Sequence, residues 1–443
     1  MKQALMIFLL ITTIALKAGD GVLTFEDHGY INPFTGGVAW ETTQNQAVLA
    51  MEWDFIGMSE VLPLCSGDFD WTVVDEFLTR VDARGHQAIL RPILFGPGYG
   101  QESYAPADMI VNDFFYEGSL FDNPEWSDAS VQACVLKFID GFALRYSNDQ
   151  RIAYVQMGLA GLWGEHHLDG AAYTSANFPS YELQKTMITH YITGFGATSA
   201  DIQTSLSLDA AQAHGFFSQG DESLDDWRFG FFDDSLLIND HNSVNNWRQD
   251  PTPAAQLLLH RQHGWGGEAY WTGCNSTGTW AQAPFDCGNG ESLNDQAIRI
   301  GLNYMLGSPA FTNDNISANS LLNASQMMGY KFTATAASRL NSNQITVTIE
   351  NTGAAYSPYQ IQVCTEQGCA GDLSTLAPAS EVNIILPATA ADTQVLRLIS
   401  PRLDPSSSQK IRWSNTGADE VNATLTVLLN DSDMIFSDGF DIN

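Results

Sequence analysis

Between residues 47 and 306, short apolar runs alternate with segments of helical period. AVLAMEWDF (Ala47 to Phe55), HQAILRPILFG (His86 to Gly96), the run Ile152 to Met157, IQTSLSL (Ile202 to Leu208), Phe229 to Ile238 and Glu268 to Trp271 predict strands. Asp68 to Gly85 predicts a helix, with Trp71, Val74, Leu78 and Val81 on one face and Gly85 as its stop. Ser127 is placed to cap a longer helix that aligns Val131, Cys134, Val135, Phe138 and Phe142. Tyr181 to Phe195, Pro253 to His263 and Ser292 to Leu306 read as further helices, and residues 20–46 as loop. Strands alternating with helices imply a parallel sheet. It can close as a (β/α)8 TIM-type barrel or lie open and doubly wound. The chain has no GxGxxG or Walker loop to favour the open form, so an α/β barrel is expected. From Tyr330 the period drops to two, as in QITVTIEN (Gln344 to Asn351) and YQIQVC (Tyr359 to Cys364), which predicts a small antiparallel β-sandwich. The expected division is a signal peptide at 1–19, barrel at 20–328, sandwich at 329–428 and a tail at 429–443.

The signal peptide is read from one lysine followed by an apolar run from about Ala4 to Leu16, too short to span a bilayer comfortably. No other stretch is apolar enough to span, so a secreted or periplasmic protein is expected. Charge sharpens this. With 51 acidic and 19 basic residues the net charge is -32, which argues against nucleic acid and anionic membrane as partners. It fits a solvated acidic surface, and a monomer is expected. The six cysteines suit an oxidising compartment. Cys364 and Cys369 can clip a hairpin, Cys274 and Cys287 can staple the loop after Glu268, and Cys65 and Cys134 remain, although spacing alone leaves the connectivity open.

The candidate chemistry sits in two runs. GLAGLWGEHH (Gly158 to His167) ends a strand in glycines, a tryptophan and Glu165; HGWGGEAYW (His263 to Trp271) repeats the recipe around Glu268. Carboxyl groups at the ends of barrel strands are where such folds keep their catalysts. A pair of them is the machinery of glycoside hydrolysis, one protonating the leaving oxygen while the other attacks or activates water. Apolar neighbours are expected to raise the pKa of Glu165 and make it the general acid, with Glu268 as nucleophile or base. The alternative is that each glutamate satisfies buried backbone or arginine groups. Arg91, among apolar residues on a strand, needs a buried partner and can orient a carboxylate or form a structural ion pair. Asp234 and His167 are candidates to position substrate. Trp53, Trp163, Trp265, Tyr270 and Trp271 are candidates to stack on a sugar. His166 and His167 are adjacent, so only one can share a pocket with Glu165. Glu165, one histidine and Asp169 also form a weak metal pattern, but no metal and no organic cofactor is expected.

These motifs together resemble a family. NPFTGG (Asn32 to Gly37), the RPI strand, GLAGLWGEHH, GFFDDS, WGGEAYW and ENTGAAYSPY make the chain similar to bacterial secreted proteins of the domain of unknown function 4832 family, over roughly residues 30–400. The family's GxxGxWGExH pattern matches from Gly158 to His167, and its GGE run falls on Gly266, Gly267 and Glu268. The family commonly has tryptophan where this chain has His166, and an asparagine–aspartate pair where it has Asp233 and Asp234. The resemblance implies a glycoside hydrolase-like barrel with a carbohydrate-active site, but no particular sugar. The terminal IFSDGFD is similar to a short C-terminal motif of many secreted gammaproteobacterial proteins. The resulting expectation is a secreted glycoside hydrolase-like enzyme acting on a poly- or oligosaccharide; the alternative is a non-catalytic carbohydrate-binding barrel.

Overall fold

The computed structural model describes residues 30–40, 48–98, 103–168, 177–196, 198–208, 228–237, 260–269, 281–282, 285–287, 292–307, 317–404, 409–420, 422–429 and 434–435. Its strands in chain order begin with β1 (Gly36–Trp40), β2 (Met51–Gly57) and β3 (Gln87–Ile93). A hairpin of β4 (Val111–Tyr116) and β5 (Ser119–Pro124) follows. Next come β6 (Ile152–Gln156), β7 (Gln203–Ser207), β8 (Gly230–Leu236), β9 (Trp265–Ala269) and β10 (Tyr304–Leu306). Apart from the hairpin, these strands pair in parallel, each with the next, and β10 returns to β1 through Gly36 opposite Tyr304. The closed eight-stranded barrel is of the TIM type. Its strands are buried on both faces, which is why β3, β6 and β7 read as continuous buried runs.

Helices pack outside the barrel. Thr72–Ala83 buries Val74, Phe77, Leu78 and Val81, and Gly85 follows in the left-handed region. Ala129–Tyr146 is capped by Asp128, whose carboxylate accepts from the Ser130 and Val131 amides. The expected cap, Ser127, instead turns its hydroxyl to Glu125. Tyr181–Phe195 is capped by Ser180, and Leu293–Ile300 by Ser292. That last helix is shorter than its sequence suggests. Gly301 takes a left-handed φ of 74° and ends it, so Tyr304–Leu306 becomes the closing barrel strand rather than a helical turn. Strand β1 likewise lies where the sequence reads as loop, and the expected helix over 253–263 lies mostly outside the described residues, with a 3-10 turn at Arg261–His263.

Beyond the helix Ala318–Gln326 the chain forms two antiparallel sheets. One is β11 (Phe332–Asn341), β12 (Gln344–Asn351) and β15 (Glu381–Pro387). The other holds β13 (Gln362–Thr365), β14 (Gly368–Ala370), β16 (Thr393–Ile399), β17 (Thr424–Leu429) and β18 (Met434–Ile435). Alternation along β12 puts Ile345, Val347 and Ile349 into the core between the sheets. Disulfides join Cys65 to Cys134 and Cys364 to Cys369. Cys287 is also disulfide-bonded, and its expected partner Cys274 lies outside the described residues. Closing a loop of 69 residues, the first disulfide removes about 4 kcal/mol of unfolded-state chain entropy in the loop-closure account. Among the described residues no helix is long and apolar enough to cross a membrane.

The sandwich is fixed to one end of the barrel. Tyr359 belongs to the same buried cluster as Phe34, Met51, Trp53, Tyr154 and Tyr304, which fill the lumen. Its hydroxyl accepts from the Gln203 amide at 3.0 Å and donates to the Ala153 carbonyl. Arg402 donates to the carbonyls of Asp149 and Ile152 at 2.7 and 3.1 Å, and Gln409 to that of Ala50 at 3.0 Å. All these backbone groups lie at or next to the N-terminal ends of β2, β6 and β7. The sandwich therefore braces the floor of the barrel. Tyr359→Ala should empty the floor of the lumen and cost about 3–5 kcal/mol, as for other buried aromatic truncations. Urea denaturation should show a lower midpoint; an unchanged midpoint would refute the plug role.

Candidate active site

Arg91 is the centre of the mouth. It stands on β3, fully buried, with its guanidinium 4.9 Å from the Trp53 ring centroid and 4.4 Å from that of Phe232. Its Nε donates to Gln156 Oε1 at 2.6 Å. Gln156 is itself fixed: the same oxygen accepts from Trp53 Nε1 at 2.9 Å, and its amide donates to the Tyr304 hydroxyl at 3.1 Å. The two terminal nitrogens then divide between the two glutamates. Nη1 donates to Glu165 Oε1 at 2.8 Å and Nη2 to Glu268 Oε1 at 2.7 Å. Both carboxylates predicted from the sequence are thus brought to one guanidinium, one from the loop after β6 and one from β9.

The loop that carries Glu165 is wound against its preferences. Leu159, Gly161, Trp163, Gly164 and His166 all have positive φ, and three of them are not glycine. Such backbone persists only where surroundings over-determine it. Here Leu159 N donates to Pro92 O at 2.9 Å, Trp163 N to Phe95 O at 3.1 Å, Leu162 N to His167 O at 2.9 Å and His166 N to Ala160 O at 2.9 Å. Ser207 on β7 adds a bond to the Glu165 carbonyl at 2.7 Å. Gly158 is required by close approach: a Cβ there would lie 1.9 Å from the Pro92 carbonyl oxygen.

His167 completes the constellation. Its Nε2 donates to Glu165 Oε2 at 3.1 Å and lies 3.7 Å from Asp234 Oδ2. His166 points the other way, donating through Nε2 to the buried Met157 carbonyl at 2.8 Å. Trp163 is half-buried, with Nε1 donating to Pro97 O at 3.0 Å and its ring 6.0 Å from that of His167. Trp265 does not join the site. It is buried in the layer between strands and helices against Phe231, because alternation along β9 sends it outward where Glu268 goes inward. Trp53 is buried beneath Arg91, and Tyr270, Trp271 and Asp169 lie outside the described residues. Glu165, His167 and Asp234 present donor atoms within 4.8 Å of one another. A histidine bridging two carboxylates accounts for that closeness. Gln156 is the residue sequence reasoning missed. Gln156 is a polar residue at the end of a buried strand, and that signal was available.

One cation cannot neutralise two buried carboxylates. Burial pushes the Glu268 carboxyl up to about 7; the neighbouring Glu165 charge adds to this and Arg91 opposes it. Burial also acts to raise Glu165, but the hydrogen bond from His167 and the charge of Arg91 outweigh it and hold Glu165 below the usual carboxylate range. The order is the reverse of the sequence expectation, because among the described residues Glu165 has two cationic or donor partners and Glu268 has one. The two groups are thus pushed apart, Glu268 towards its protonated form and Glu165 towards its ionised form.

No family model and no curated protein matches the chain. Solved structures with similar coordinates include endo-glycoceramidase II from Rhodococcus sp. as a lactosyl-enzyme intermediate, at 12% identity and a TM-score of 0.42 over 84% of this chain and 100% of that one. A GH5_18 protein from Bifidobacterium longum subsp. infantis is similar at 9% identity and a TM-score of 0.40, over 64% of this chain and 72% of that one. A family 39 glycoside hydrolase from Bacteroides cellulosilyticus WH2 is similar at 11% identity and a TM-score of 0.32, over 83% and 81%. At these identities and scores the likenesses add nothing to what the strand order already establishes.

The raised pKa of Glu268 makes a signed prediction. In the unfolded chain this group titrates near 4.5 and in the folded protein near 7, so between those values the folded state binds the extra proton. Its contribution to stability is full below about 4.5 and is lost as pH rises through 7. Thermal unfolding of the parent should lose stability across that window relative to Glu268→Gln, which keeps the shape without the titration. Parallel pH profiles for the two proteins would contradict the raised pKa of Glu268.

Proposed function

We propose that the protein is a secreted glycoside hydrolase that cleaves a poly- or oligosaccharide with Glu165 and Glu268. The observation that carries the reading is the convergence of two glutamates from different barrel strands on Arg91 at the C-terminal mouth. The protonated Glu268 is suited to give its proton to the leaving oxygen. The ionised Glu165, held by Arg91 and His167, is suited to attack the anomeric carbon. After departure of the leaving group, the Glu268 carboxylate takes a proton from water, which releases the sugar from Glu165. Asp234 and His167 fix the orientation of Glu165, and Trp163 offers a ring at the mouth. Secretion is supported by the apolar N-terminal run and by disulfides that need an oxidising compartment.

A second reading has its own observation in favour. Both carboxylates are already engaged by Arg91, as they would be in a structural ion cluster beneath a non-catalytic sugar-binding surface. The two readings separate on a panel of polysaccharides and dinitrophenyl glycosides. A hydrolase should lose about 10²–10⁴-fold in turnover of unactivated substrates in both Glu165→Gln and Glu268→Gln. With a dinitrophenyl leaving group, which needs little protonation, Glu268→Gln should keep its burst of released phenol and Glu165→Gln should lose it. The opposite pattern would exchange the roles. Saturable sugar binding without turnover in the parent would favour the binding barrel.

A further inference from the structure

The hairpin β4–β5 is inserted after β3, at the same end of the barrel as the carboxylate pair. Its turn, Glu117 and Gly118, has positive φ at both positions, which suits a tight two-residue hairpin connection. One face is structural. Phe114 and Phe121 are buried, with ring centroids 6.0 and 6.4 Å from that of Phe95. Tyr116 meets Trp163 edge-on at 6.1 Å, and Trp163 leads on to His167 and Glu165. The hairpin is thus packed onto the loop that carries the site.

The other face has no structural explanation. Phe115 and Leu120 are directly cross-strand and are 70% and 57% exposed. The next pair on that face is Asp113 opposite Asp122, both exposed. A large apolar pair in water and like charges across a ladder each work against the hairpin. Both are what a sugar chain would use. An aromatic face packs against the C–H face of a pyranose, and carboxylates accept hydrogen bonds from its hydroxyls. The carboxylates also argue against an anionic lipid surface, as does the net charge of -32.

We propose that the outer face of this hairpin, with Phe115 and Leu120 at its centre and Asp113 and Asp122 beside them, is a binding platform for a neutral polysaccharide chain running from the carboxylate site. The direction of the chain rests on the hydrolase reading; the platform itself does not. The test is affinity electrophoresis of the whole chain through gels containing mixed-linkage β-glucan, xylan, galactomannan or agarose, beside Phe115→Ala/Leu120→Ala. Both side chains are exposed, so the variant should unfold at the parent's temperature. At least one polysaccharide should retard the parent, with affinity reduced about tenfold in the variant, while turnover of a dinitrophenyl glycoside stays the same. No retardation of the parent, or equal retardation of both proteins, overturns the platform. Co-sedimentation of the parent with phosphatidylcholine vesicles, lost in the variant, overturns it in favour of a membrane contact. Phe115-dependent retardation combined with undiminished turnover in Glu165→Gln would leave the platform standing and remove the hydrolase reading.

Discussion

The mouth of this barrel is organised by a shortage of positive charge. Arg91 is the cation that both glutamates share, and it is wholly enclosed by Trp53, Phe232, Gln156 and the glutamates themselves. A buried guanidinium needs its donors satisfied, so the carboxylates are drawn to it. Two buried carboxylates share one cation, and burial with the neighbouring Glu165 charge raises the Glu268 carboxyl to about 7. His167 adds a donor to Glu165, which favours its ionised form. The result is two carboxyl groups of identical chemistry in unlike states, set by their neighbours alone.

Holding that arrangement takes a rigid frame, and the barrel divides its two ends accordingly. At the floor, the sandwich contributes Tyr359, Arg402 and Gln409 to backbone groups at the strand starts. At the mouth, the loop from Leu159 to His166 carries left-handed backbone at residues that resist it. The strain is sustained by hydrogen bonds to the end of β3 and the segment after it, the strand that also bears Arg91.

Much of this was legible in the chain. Buried strands read as apolar runs, and the period change near Tyr330 marked the sandwich. The two glycine-rich runs located both glutamates, and the apolar setting of Arg91 signalled a buried partner. What was not legible depended on partners far away in sequence. β1 and β10 are short, contain glycine or follow a helix without a break in apolar content, and they become strands only because the barrel needs two more to close. Trp265 looked like a sugar platform because the pattern gave its neighbourhood but not its face. The order of the two pKa values was misjudged for the same reason. Local apolar content predicted desolvation of Glu165 correctly, but the donors that outweigh it come from β3 and from a histidine two residues on whose direction follows from the left-handed turn at His166.

That turn links backbone strain to chemistry. On an ordinary extended path His166 and His167 would differ only in which side they face. With His166 at a φ of 60°, its ring is turned down to the Met157 carbonyl, and His167 is carried over Glu165 towards Asp234. The bond from His167, with the charge of Arg91, holds the Glu165 carboxyl below its ordinary range against its burial. Relaxing the turn would therefore do more than loosen a loop: it would withdraw a donor that helps to set the two carboxyl groups apart. The strained backbone and the asymmetric pair are one device, and its direction is set by His166 taking the conformation that side chains avoid.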